Sequence, residues 1–262
     1  MSDNNTFSQS DSRNKKNERL QNVLAKRGIA SRRGAADIIK SGQVSVNGNV
    51  VLEPGLRVDP LTDEISLNGK ILPENSEEKR TILLYKPRGL ICSADNAQGE
   101  TVCDLLQQQI PERLVPVGRL DKDSEGLLIM SNDGSLINVL THPRYGHKKT
   151  YHVRVTGMID DDKLRTLRSR MDIDGYFIKP VEVKVLKSTP KTNTYKLSFT
   201  LSEGRNRQIR KMCDQTGLKI LTLKRVKIGP LSIGAMQPGD WRELHKNDIE
   251  VLMNKSTAPG KA

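Results

Sequence analysis

Three carboxylates fall within five residues of the segment VGRLDKDSEGLLIMSNDG, Val117 to Gly134: Asp121, Asp123 and Glu125. Acids this dense can hold a cation, or work as acid and base around a glycosidic bond. From Asp121, D-x-D-x-E-G imitates a calcium loop with Gly126 at its sharp turn. Its twelfth position, however, is Asn132 where a bidentate Glu belongs, and position five is Glu where Asp or Asn is expected. The flanks read as strand, not helix. A glycosidase needs two carboxyl groups about 5–9.5 Å apart across one bond, a geometry that two residues of one short turn do not by themselves provide. One Trp, five Tyr and three Phe are also too few for a sugar platform. Asp123 and Glu125 therefore read as turn structure and solvation, with Ser124 hydrogen-bonding the loop. Asp133-Gly134 reads as a turn into the next helix. His142, His147, His152 and His245 form no HExxH, and Cys92, Cys103 and Cys213 form no CxxC, so no metal site is expected.

Cations are concentrated elsewhere. Residues 17–42 carry six Lys/Arg against two acids, and residues 203–228 carry eight against two. These windows hold +4 and +6 of the formal net charge of +12. Two such clusters form an electrostatic footprint for a polyanion.

The elements around the first cluster are legible. In ERLQNVLAKRGIASRRGAADIIKSGQVSVNGNVV, Leu20, Val23, Leu24 and Ala25 fall at helical spacing, and Gly28 stops that helix. Ser31 is the N-cap of a second helix with Ala35, Ile38 and Ile39 inward, and Gly42 ends it. Val44 and Val46 lead into an Asn47-Gly48 hairpin. Arg32 and Arg33 in a first turn oppose the macrodipole by roughly 0.3–1 kcal/mol each, a cost that a bound phosphate reverses. This segment resembles the S4 RNA-binding module over residues 17–75, through SRRxAxxxI and SGxVxVNG. The resemblance implies RNA contacts from Arg32, Arg33, Arg27 and Lys40. Without aromatics to stack on bases, backbone and shape contacts should dominate.

KILPENSEEKR, residues 70–80, lacks apolar periodicity and reads as a linker or frayed edge. From Thr81 strand patterns predominate: TILLYK, LLIMS, KTYHVRV, VEVKV and TYKLSFTL, the last with Tyr195, Leu197, Phe199 and Leu201 on one face. SLINVLTH, DDKLRTLRSRM, RQIRKMCDQTG and NDIEVLM read as helices. Strands mostly follow one another without helical crossovers, so the expected fold is α+β on a mixed, largely antiparallel sheet. The second cluster begins SEGRNRQIRKMCDQTG. Arg205, Arg207, Arg210 and Lys211 load the N-terminal half of a helix, which implies a partner anion, either an RNA phosphate or a carboxylate elsewhere in the fold.

GRLDKDSEGLLIMSNDG, followed by KTYHVRV and EGRNRQIRKM in that order, resembles the pseudouridine synthases of ribosomal RNA, in the branch with an N-terminal S4 domain. The match spans residues 17 to about 250. It implies a catalytic carboxylate at Asp121, a catalytic tyrosine at Tyr151 and a catalytic arginine at Arg210. LTLKRVKIGPL resembles an element that closes the pocket, with Leu223 as a wall. Arg119, Arg207 and Lys86 become candidate substrate contacts, and Arg205 and Lys211 candidate RNA contacts. Uridine isomerisation breaks the N-glycosidic bond, turns the base and rejoins it through C5, with no cofactor, metal or redox change. The carboxylate either attacks the uracil ring or helps expel uracilate from the ribose. A carboxylate ionised in a pocket that excludes water needs a cation beside it, since burial alone favours the neutral acid; hence an Asp121–Arg210 pair is expected. Tyr151 would stack on a flipped uracil with its hydroxyl near the proton in transit.

The expected organisation is a disordered tail at 1–16, an S4 domain at 17–75, a catalytic domain at 76–253 and a disordered tail at 254–262. The implied partner is large-subunit (23S) ribosomal RNA, free or in a precursor particle, bound by a monomer. Small-subunit 16S RNA, a non-catalytic ribosome-assembly role, and a DNA-binding helix-turn-helix with Arg32 and Arg33 reading bases are the alternatives. The longest apolar runs fall short of a bilayer span, the N-terminus has no signal-like hydrophobic region, and three unpatterned cysteines fit a reducing compartment, so a cytoplasmic protein without membrane partners is expected.

Overall fold

The structure, a computed structural model, describes residues 17–73, 78–93, 99–142 and 146–254. The proposed tail 1–16, the proposed tail 254–262 from residue 255 onward, and most of the linker's centre lie outside the described residues; Asn254 itself ends a helix. The chain divides into two units, one ending at Lys79 and the other beginning at Arg80.

In the first unit, β1 (Glu18–Arg19) leads into α1 (Leu20–Lys26), and α2 (Arg32–Lys40) follows. β2 (Val44–Val46), β3 (Asn49–Val50), β4 (Arg57–Val58), β5 (Ile65–Leu67) and β6 (Lys70–Ile71) complete it. Ser31 caps α2, its side chain accepting from Gly34 N–H at 3.0 Å. Asn47 and Gly48 both adopt positive φ (50° and 79°) between β2 and β3, as a tight hairpin of this twist requires. Leu20, Val23, Leu24, Ala35, Ile39, Val44, Val58 and Ile65 form the core. The supposed linker begins too early: Lys70 and Ile71 pair with Leu67 and Ser66, so the sheet of order β3-β2-β5-β6 extends into it. Six charges in residues 70–80 hid this two-residue strand, whose side chains are exposed and carry no apolar alternation.

The second unit runs β7 (Thr81–Lys86), α3 (Val102–Gln107), β8 (Val115–Val117), β9 (Glu125–Ser131), α4 (Gly134–Thr141), β10 (Lys149–Thr156) and α5 (Asp161–Arg168). It continues through β11 (Asp172–Ile173), β12 (Tyr176–Phe177), β13 (Glu182–Thr189), β14 (Thr194–Leu201), α6 (Gln208–Gln215), β15 (Lys219–Ile228), β16 (Leu231–Ser232), β17 (Trp241–Glu243) and α7 (Lys246–Asn254). The main sheet has the order β13-β14-β10-β15-β9-β7-β17, with β16 on β15 and β8 on β9. β9 and β15 run parallel and the other pairs antiparallel. This is the α+β fold with a mixed, mostly antiparallel sheet.

Burial explains the patterns. In β7 every residue is buried, because one face packs on the cluster of Val102, Leu106, Ile110 and Leu114 and the other on Leu136, Leu140 and Leu252. β10 and β14 alternate instead, turning Val153, Val155, Leu197 and Phe199 onto Ile209, Met212 and Cys213 of α6. Their opposite face is polar.

Candidate active site

The acidic segment leaves β8 and enters β9. A turn closes it, Ser124 N–H donating to the Asp121 carbonyl at 3.0 Å. Two buried cations grip the main chain of this loop. Lys86, fully buried, donates from Nζ to the carbonyls of Ser124 and Pro87 at 2.8 Å each and of Lys122 at 3.4 Å. Arg225, on β15 and 3% exposed, donates to the carbonyls of Leu127 at 2.6 Å and Arg119 at 3.4 Å. The loop thus rests on positive charge through its carbonyls, with Asp123 exposed and Asp121 partly so. Gly126 makes the fit possible. Its φ is +107°, and a Cβ there would stand 2.3 Å from the Arg225 carbonyl oxygen, where β9 and β15 run side by side.

Opposite the loop, α6 begins at an unusual step. Arg207, its N-cap, holds φ +51°, ψ 30°, a left-handed conformation that costs an L-residue on the order of 1 kcal/mol. The side chain of Gln208 accepts from Arg205 N–H at 3.1 Å and tightens the entry. This geometry brings Arg210 Nε to 3.4 Å and Arg207 Nη1 to 3.8 Å from Asp121 Oδ2. Arg210 Nη2 also donates to Ser124 Oγ at 3.1 Å. Ser124 is wholly buried, and its hydroxyl bonds across to α6 while its N–H closes the loop's own turn. Asp121 is one-third exposed (32%), open enough to meet a substrate.

Tyr151 stands on β10, opposite Phe199 on one side and Arg225 on the other. It lines the same cavity, of about 640 Å³, as Asp121, Arg207, Arg210, Leu223 and Arg225. Leu223 is buried in the wall, and Arg119 and Arg205 stand exposed at the rim. Arg205 lies over Tyr176, 3.2 Å from the ring centroid. Lys149 and His147 also line the cavity. Burial, then the Arg225 charge, pushes the Lys149 ammonium down to about 8. Burial, then Lys149, lowers His147. The carboxylates that answer the basic helix belong to the fold: Asp121 for Arg207 and Arg210, and Asp174 for Lys211.

Two candidate contacts need correction. Lys86 faces inward, not toward a substrate; burial lowers its ammonium against the pull of Cys92, Asp123 and Asp121. Arg27 turns to the carbonyls of Pro60 at 3.0 Å and Leu72 at 3.3 Å, and so braces the first unit's loops. Arg32, Arg33 and Lys40 are exposed on α2 of that unit. Sequence reasoning missed Arg225, Lys149 and the close approach at Gly126. A signal existed for the first, because Leu223 and Arg225 are two apart on a strand and share a face.

Comparison with known proteins fits this geometry. Residues 80–215 match the family model for RNA pseudouridylate synthase, and residues 18–65 match that for the S4 domain. The ribosomal large subunit pseudouridine synthase B of Bacillus subtilis is 40% identical over 235 residues, spanning 90% of this chain and 95% of the relative. An uncharacterized RNA pseudouridine synthase of Aquifex aeolicus is 37% identical, spanning 89% of this chain and 93% of its own. Among solved structures, a pseudouridylate synthase superposes with a TM-score of 0.63 at 27% identity, covering 89% of this chain and 99% of its own.

Proposed function

Because the chain belongs to the RNA pseudouridylate synthase family and carries an S4 domain, we propose that it converts one uridine of large-subunit (23S) ribosomal RNA to pseudouridine, with Asp121 as the catalytic carboxylate. The name of the Bacillus subtilis relative supports the choice of RNA. The observation that carries the reading is the Asp121 carboxylate set between Arg210 and Arg207 in a cavity shared with Tyr151.

The reaction is an isomerisation. The N1–C1′ bond breaks, the base turns, C5 bonds to C1′, and the C5 proton leaves as N1 regains one. Asp121 meets the flipped nucleotide either at the uracil ring or at C1′ of the ribose. Arg210, bonded to both Asp121 and Ser124, fixes the carboxylate's direction. Tyr151 gives the base a ring to stack on and brings its hydroxyl to the proton in transit. Leu223 closes the apolar side, and Arg119 and Arg207 at the mouth hold phosphate oxygens. The buried Lys86 acts through the loop backbone, and Arg225 braces the same backbone from the cavity wall.

Pseudouridine mapping of ribosomal RNA from cells with and without the gene tests both reaction and target. One site should vanish from large-subunit RNA and return with the intact gene but not with Asp121→Asn. An unchanged map would overturn the assignment, and a lost small-subunit site would redirect it to 16S RNA.

A further inference from the structure

The polar face of the main sheet, behind the active site, carries charge that the fold does not use. Side chains alternate across a strand, so Tyr151, Val153 and Leu223 face the cavity and the core while His152, Arg154 and Lys224 face away. Register sets the rows. Lys187 lies opposite Lys196, and Lys196 opposite Arg154, so three cations on β13, β14 and β10 stand directly side by side. The next row runs Lys184, Ser198, His152 and Lys224, and the third Glu182, Thr200, Thr150 and Lys227. Together with Glu125 of β9, most of these residues line an open groove of about 690 Å³.

Like charges directly opposite on a sheet destabilise it, and counter-charge here is sparse. Glu182 is taken by Lys184 at 2.6 Å, and Glu125 accepts from the Tyr85 hydroxyl at 3.2 Å. Lys224 lies over the Tyr85 ring, 4.5 Å from its centroid. Among the described residues, Arg154, Lys187, Lys196 and Lys227 have no ion pair. His152 records the field: burial, then Lys196, Lys224 and Lys227, hold its pKa below the ordinary histidine value.

We propose that this face binds the phosphate backbone of a helical RNA segment, a second contact remote from the uridine being modified. The proposal rests on the RNA-modifying function above and adds a surface to it. Charge complementarity selects a polyanion. The interleaved hydroxyls of Thr150, Ser198, Thr200 and Thr222 suit phosphate and 2′-hydroxyl oxygens, and no exposed aromatic on these rows offers a base something to stack on. Those features favour the sugar–phosphate surface of a duplex over unpaired bases. With strands 4.7–4.9 Å apart, four of them present a strip roughly 14 Å wide.

The test uses the full chain and two RNAs: a uridine-free A-form duplex and the substrate RNA. Binding is titrated against salt for the wild type, for Arg154→Gln/Lys196→Gln/Lys227→Gln, and for a control, Arg165→Gln/Arg170→Gln/Lys246→Gln, which removes three exposed cations outside the main sheet. The back-face variant should bind the duplex at least about tenfold more weakly, with a salt slope shallower by roughly two to three. The control should change little, and single-turnover rates at saturating substrate should match in all three proteins. Lys196→Glu should raise the melting temperature, by pairing with Arg154 and Lys187, while weakening RNA binding. Equal losses in the two triple variants, or wild-type RNA binding in Lys196→Glu, would overturn the proposal. A wild type that binds duplex through this face but forms no pseudouridine would instead defeat the functional reading and leave the surface standing.

Discussion

Asp121 and Arg210 are 89 positions apart in the chain and 3.4 Å apart at their side chains. Replacing Asp121 by Asn preserves size and the loop's main-chain clamps, so the fold should survive while turnover falls at least about 10³-fold, equivalent to ~4 kcal/mol of barrier. Arg210→Ala releases both Asp121 and Ser124 and should cost about 10²–10³ in kcat, the range for losing one preorganised electrostatic group. Circular dichroism alongside single-turnover assays checks both; an Arg210→Ala enzyme with full turnover and an intact fold would remove that arginine from the chemistry. Lys149 supplies a pH test. Its pKa in the folded chain is about 8, against an ordinary 10.5. Between those values the unfolded chain binds more protons than the folded one, so this group makes the fold more stable as pH rises through that window. Lys149→Met lacks the burial penalty, so its stability advantage over wild type should shrink from pH 8 toward pH 10.5. Paired urea melts would show a constant difference if burial of that ammonium were unimportant.

At the scale of elements, the glycine inside the acidic motif explains why a strand follows such a turn at once. Gly126 lets the Arg225 backbone lie against β9, and Arg225 then reaches the Leu127 and Arg119 carbonyls. Gly126→Ala adds a Cβ where φ is +107° and the nearest backbone oxygen is 2.3 Å away. The strands must part, at a cost on the order of 3 kcal/mol from strain and lost pairing. A urea midpoint within experimental error of wild type would refute this close approach. The same region marks the limit of what the chain made legible. Helix α2 was readable because its Ser31 cap, glycine stop and apolar spacing agreed, and α6 because its apolar spacing and closing Gly217 did; the clustered arginines of α6 announced an anion that turned out to include Asp121. Helix α3 escaped notice, since six residues hold under two turns and its marker, the reciprocal Thr101–Asp104 cap, precedes an undistinguished VCDLLQ. Lys86 misled because a lysine beside a Pro-Gly turn ordinarily projects into water. Only the pairing of β7 with β9 shows that it lies beneath a neighbouring loop's carbonyls.

At the scale of the whole molecule, charge is divided between two units with separate cores. In the first, α2 starts with Arg32 and Arg33 exposed and has no acid in its first turn. Ser31 already satisfies the Gly34 N–H, so neither arginine is needed as a cap. Each opposes the helix dipole by roughly 0.3–1 kcal/mol. Arg32→Gln/Arg33→Gln should therefore leave stability unchanged or slightly higher. If the pair grips phosphate, the same variant should raise the KM for RNA and flatten the salt dependence of binding by about two phosphate contacts. Its kcat at saturating RNA should not change, because Asp121, Tyr151 and Arg210 all belong to the other unit. A fall in kcat with KM unchanged would mean that the first unit acts on the chemical step, and RNA binding indistinguishable from wild type would leave these two arginines merely solvated.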